Sequence, residues 1–151
     1  MSRKQLVPDD FTVPLLLETP EFRLRPLLIS DVVKDYDAVM TSVDHLKGIL
    51  SPGSDWPVGL TFEDDLIDLG WHHKEFKIRS SFAYTVMSLD ESRCLGCCYI
   101  YPAADPASDA EAFYWARQSE LTSGLEERLG KVLRDWLARD WPFKRVAYPG
   151  R

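Results

Sequence analysis

Residues 94–137, CLGCCYIYPAADPASDAEAFYWARQSELTSGLEERLGKVLRDWL, constrain the fold more than any other part of the chain. Residues 94–101 form an apolar run of strand length, and residues 102–109 are a turn of Ala, Pro and Asp without a large apolar side chain. Residues 110–117 give a second strand. A helix follows over about residues 122–139, its stripe made by Leu125, Leu129, Val132, Leu133, Trp136 and Leu137. A helix that starts where a strand ends presents backbone N–H groups without partners, and these suit a phosphate.

The flanking sequence supplies the rest of a layered domain. Pro8, Pro14 and Pro20 interrupt residues 1–20, which read as a loosely ordered N-terminal arm, and residues 21–151 read as a single domain. Phe22 and Leu24 alternate with Arg23 and Arg25 in a short strand that ends near Pro26. Ser30 or Asp31 then opens a helix, with Val33, Tyr36, Met40, Val43 and Leu46 as its expected apolar stripe. Gly48, Pro52, Gly53 and Pro57 mark a loop. Thr61 caps a second helix with Asp64 three residues on, and Leu66, Leu69, His73 and Phe76 mark its expected buried side. Residues 81–89 and 94–101 read as an antiparallel hairpin, and residues 143–148 as a last short strand.

Composition excludes several classes of protein. A net charge of −6 argues against general affinity for nucleic acid or for an anionic membrane. No run approaches the ~20 apolar residues of a membrane span, and no secretory signal is evident, so a cytoplasmic location is expected. Charge is uneven: residues 117–151 hold 8 Lys/Arg against 5 Asp/Glu, while the remainder holds 10 against 19. Such a split suits an anionic ligand at one end and a cationic one at the other, although uneven solvated charge needs no ligand. Cys94, Cys97 and Cys98 crowd together, and strand alternation puts Cys94 and Cys98 on one face and Cys97 on the other. No second ligand pair lies at a zinc-like spacing, which favours buried thiols over a metal site joined by His72 and His73. His73, on an apolar helix face, reads as a core histidine before a catalytic base.

Three segments carry a resemblance to a known family. Phe22-Arg23-Leu24-Arg25-Pro26-Leu27 with Asp31, Cys94-Leu95-Gly96-Cys97-Cys98-Tyr99-Ile100, and Ala110-Glu111-Ala112-Phe113-Tyr114-Trp115 resemble the first, third and fourth strands of the GNAT superfamily of acetyl-CoA-dependent N-acetyltransferases. The resemblance implies an α+β fold: a mixed, largely antiparallel sheet flanked by helices, here without the family's last helix and strands. It also implies acetyl-CoA as co-substrate, with its pantetheine arm paired to backbone at Trp115, Ala116 and Arg117. The cofactor's pyrophosphate would lie at the turn Thr122, Ser123 and Gly124. The family's loop pattern of Gln or Arg, two residues, Gly, one residue, then Gly or Ala falls on Ser119, Thr122 and Gly124, and only Gly124 fits it.

Two further features bear on chemistry. Ser123-Gly124-Leu125-Glu126 fits a capping box, and Glu126 with Glu127 places negative charge where a pyrophosphate would sit. Arg117, Arg128 and Lys131 are the compensating cations. An attacking amine must lose a proton, and Glu111 is the candidate base, with a purely structural carboxylate as the other reading. The expected activity is acetyl transfer from acetyl-CoA to an amine of a small molecule or protein N-terminus, with no metal. The alternative is a non-catalytic GNAT-fold binding or assembly module. Under either, the strand at residues 143–148 offers a sheet edge for a homodimer.

Overall fold

Two apolar strand runs at the centre of the chain set the architecture. In the computed structural model, which describes residues 4–151, β3 (Phe82–Ser88) and β4 (Cys94–Tyr101) are buried along nearly their whole length. A strand covered on both faces needs no polar alternation, which accounts for their continuous apolar sequence. They lie in the middle of a six-stranded sheet of order β1-β2-β3-β4-β5-β6, with β1 at Leu17–Glu18, β2 at Phe22–Pro26, β5 at Ala110–Ala116 and β6 at Val146–Ala147. All pairings are antiparallel except β5 with β6. The α+β class and the largely antiparallel sheet are as the sequence predicts.

Helices cover both faces. α4 (Leu125–Asp140) places Leu129, Leu133 and Trp136 against Phe22, Tyr84 and Ile100 on one side. The opposite face packs Ala83, Cys97, Tyr99 and Trp115 against Val39 of α1 (Val32–Met40), Leu46 of α2 (Val43–Leu46) and Leu69 of α3 (Phe62–Lys77). Two glycines permit close packing. A Cβ at Gly96 would collide with the Trp115 carbonyl oxygen, and one at Gly130 with the Tyr114 ring, so β5 sits tight against both β4 and α4.

Several expectations shift. The first helix is broken: Ser42 Oγ donates to the Ala38 carbonyl (2.7 Å) and Thr41 Oγ1 to that of Asp37 (2.7 Å), diverting carbonyls at the helix end. Its buried side is Val32, Asp35, Ala38 and Val39, one residue out of phase with the expected stripe, and Val33 is 68% exposed. On α3 the Thr61–Asp64 capping box forms in both directions at 3.0 Å, but Leu66 is exposed and Asp65 and Glu75 are buried beside Leu69.

Strand alternation fails at Cys94. The register between β3 and β4 slips at Val86/Met87, so Met87 faces Cys94 and Val86 faces Gly96. The inserted residue turns Cys94 to the same face as Cys97, leaving Cys98 on the other. All three thiols are buried, and burial raises each pKa, that of Cys94 to about 12. The described part of the arm is tied down. Val7 joins the core, Leu6 N–H donates to Arg79 O (2.8 Å), and the Tyr84 hydroxyl donates to Pro14 O (2.7 Å).

Candidate active site

The parallel pairing of β5 and β6 is short. It joins Ala110 to Val146 and Glu111 to Ala147, and then the two strands part. Past that point the outer backbone groups of β5 have no strand to bond. Side chains meet them instead. Arg151 Nη2 donates to the Tyr114 carbonyl (2.6 Å), and the Ala116 N–H donates to Glu126 Oε1 (3.0 Å).

Glu126 is the hub of this arrangement. His45 Nε2 lies 2.6 Å from Oε1, and Arg151 Nη1 donates to Oε2 at 3.2 Å. The Arg151 guanidinium also lies over the Tyr114 ring, 4.1 Å from its centre. Burial raises the Glu126 pKa, but the bonds from His45, Ala116 N–H and Arg151 outweigh it and hold the carboxyl below its ordinary value. The predicted capping box does not form, because this carboxylate turns away from its own helix end to bond β5. The N-cap is Gly124, in the left-handed region at φ 81°, with no side-chain cap. The Gly124 N–H itself bonds Leu121 O (3.1 Å).

The other predicted site residues separate into backbone and side-chain roles. Trp115 is fully buried and its Nε1 donates to the Tyr99 hydroxyl (3.1 Å), so its side chain belongs to the core. Arg117 is also buried, and it points away from the turn. Its guanidinium donates to Cys94 O (2.9 Å), Asp37 (3.1 Å) and Thr41 (3.1 Å), which fixes β5 to the end of α1. It therefore contributes no free charge at the turn. Thr122 and Ser123 are exposed, and Ser123 Oγ donates to Glu120 O (2.8 Å). Glu111 is half-buried and accepts the Ala104 N–H at 2.9 Å. Beside the turn lies a polar cavity of about 370 Å³ where Arg128 is paired with Glu21 (2.9 Å) and Arg93 with Glu120 (3.3 Å).

His45 and Arg151 were not identified as site residues from the sequence. Neither sits in a motif, and both reach the site through contacts distant in sequence, His45 across 81 residues.

The fold as a whole has counterparts among solved structures. A ribosomal-protein-S5-alanine acetyltransferase from Vibrio fischeri superposes with a TM-score of 0.65 at 18% identity, over 83% of this chain and 68% of that one. A GnaT-family acetyltransferase from Bordetella pertussis gives 0.68 at 14% identity, over 89% and 78%. The microcin C7 self-immunity acetyltransferase MccE, solved in complex with acetyl-CoA and AMP, gives 0.62 at 12% identity, over 82% and 67%. The chain has the GNAT fold. No family model matches its sequence, and no curated protein matches it. Within this GNAT fold the gap beside β5 is filled by the chain's own Glu126 and Arg151. No helix among the described residues is long and apolar enough to cross a membrane.

Proposed function

We propose that this protein is an N-acetyltransferase that takes its acyl group from acetyl-CoA and transfers it to an amine of a small molecule or a protein N-terminus. The observation that carries the reading is the pair of β5 backbone groups, Tyr114 C=O and Ala116 N–H, which no strand bonds and two side chains satisfy. An acceptor and a donor spaced in this way along a strand edge fit an amide-bearing chain by β-type pairing. The cofactor supplies an activated thioester. This chain's part is to hold it along Tyr114–Ala116, with Gly124 allowing close approach at the turn. Arg93 and Arg128 exchange their carboxylate partners for phosphate oxygens, offsetting Glu127. Glu111, acting through water, accepts the proton that the attacking amine must lose.

A second reading rests on the same residues. Glu126, His45 and Arg151 form a connected set that leaves the groove filled, as a binding or assembly module without catalysis would need. β6 ends the sheet, and its outer edge is the surface through which this proposal would pair two copies. Elution as a monomer would remove that pairing.

Calorimetry with acetyl-CoA separates the two readings. Binding that is lost in Gly124→Trp supports the transferase. An absence of binding at millimolar ligand, in both the parent and Arg151→Ala, leaves the module. Where binding holds, turnover on an amine panel should fall in Glu111→Gln, and an unchanged rate would remove Glu111 as base.

A further inference from the structure

A second cavity, of about 230 Å³, lies on the α1/α3 side of the sheet, and no residue of β5 or β6 lines it. Three carboxylates do: Asp35 from α1, and Asp65 and Asp68 one turn apart on α3. Neither lysine nor arginine is among its lining residues. His72 stacks on Tyr99 with ring centres 5.4 Å apart, and burial lowers its pKa to about 4, so it brings no positive charge at neutral pH.

Burial makes these carboxylates costly. Asp35 is 4% exposed and Asp65 3%, and after burial the neighbouring Asp65 is what most favours the neutral form of Asp35. A carboxylate–carboxyl pair satisfies part of that demand, but Asp65 Oδ2 is buried with no hydrogen-bond partner. Buried carboxylates ordinarily face a cation or a set of donors. The remaining walls are Leu27, Leu50, Leu69 and His72 with four aromatic residues, Trp56, Trp71, Tyr99 and Tyr101, a ring type that attracts organic cations. Among the described residues no group of three or more His, Cys, Asp or Glu side chains is arranged to hold a metal ion. An anionic, ring-lined chamber of this size suits an alkylammonium better than a metal.

We propose that the chamber between α1, α3 and β4 binds a small organic ammonium ion, with its charge at Asp65 and Asp68 and its alkyl groups against Trp56 and Trp71. The site is distinct from the β5 groove. An amine held as ammonium among carboxylates keeps its proton and is a poor nucleophile. The chamber therefore anchors a charged group of a ligand, separate from any amine presented at β5. Only the identification of that ligand with an acetyl acceptor rests on the transferase reading; the ammonium site does not.

The test uses the full chain without acetyl-CoA. Tetramethylammonium and n-butylammonium chlorides are titrated at constant ionic strength and followed by heat and tryptophan fluorescence, with n-butanol as the neutral analogue. The expected result is saturable binding of the cations alone, weakened at least tenfold in Asp65→Asn and in Asp68→Asn, the latter nearer the rim. No saturable binding, equal binding of butanol, or binding unchanged in both variants overturns the proposal. Because no acyl donor is present, that failure leaves the acetyl-CoA titration untouched, and a negative acetyl-CoA titration leaves this one untouched.

Discussion

Arg151 and Glu126 hold the two β5 backbone groups that a ligand lying along the strand would need, so they act as competitors of that ligand. A site populated in its open form only part of the time binds with an affinity reduced by that fraction. A hydrogen bond involving a charged group is worth about 1.5–3 kcal/mol, and ~1.4 kcal/mol corresponds to a tenfold change in affinity. Arg151→Ala should therefore tighten acetyl-CoA binding about tenfold by calorimetry. An equal or weaker affinity would show that Arg151 is not the obstacle. Gly96 allows a residue-scale prediction about stability. Its missing Cβ is what lets the Trp115 carbonyl approach β4, so Gly96→Ala forces β4 and β5 apart. Overpacking of this kind costs about 1–3 kcal/mol, which urea denaturation would read as a lower midpoint at unchanged slope.

At the scale of elements, the best-specified helix end is that of α3. Thr61 and Asp64 satisfy each other's backbone N–H groups, so Thr61→Ala should cost about 1 kcal/mol and lower the melting temperature, while Thr61→Ser should recover most of the loss. That capping box was readable because it is local, as were the strand runs and the stripe of α4. The break after α1 is local, made by Thr41 and Ser42, whereas the misreadings nearer the site are non-local. Cys94 lies on the other face because a bulge interrupts the expected β3–β4 pairing, and the sequence pattern does not reveal that slip in register. Asp65 and Asp68 lie at the helical spacing of a buried face with Leu69 and His72, although carboxylates ordinarily face solvent. That conflict between position and polarity was the available signal for the chamber. Glu126 matched a capping box, but the groups it bonds instead, on β5 and at His45, come together only when the sheet is assembled.

At the scale of the whole molecule, the chamber sets charge against stability. Burial is the first cause of the raised pKa at Asp35, Asp65 and Asp68, and the field of Asp65 adds to it at Asp35 and Asp68. A carboxyl whose folded pKa lies above its unfolded value supports the fold below that unfolded value, near 3.8, and loses that support as pH rises through the folded value. His72 runs the other way. Its pKa falls from 6.5 to about 4 on folding, so its contribution declines as pH drops through that interval. Between about pH 4 and 6.5 the loss of His72 support on acidification opposes the gain from the carboxyls. At pH 7, then, the burial of the Asp65 carboxylate is a cost that Asp65→Asn relieves. The variant should therefore melt higher than the parent at pH 7, with the gain shrinking toward pH 4. An organic ammonium should raise the melting temperature of the parent and leave that of Asp65→Asn unmoved, because a ligand stabilises only the state that binds it. A variant that melts lower at pH 7 would mean that the Asp65 carboxylate is already compensated within the fold, and the stability cost assigned to the chamber would fall.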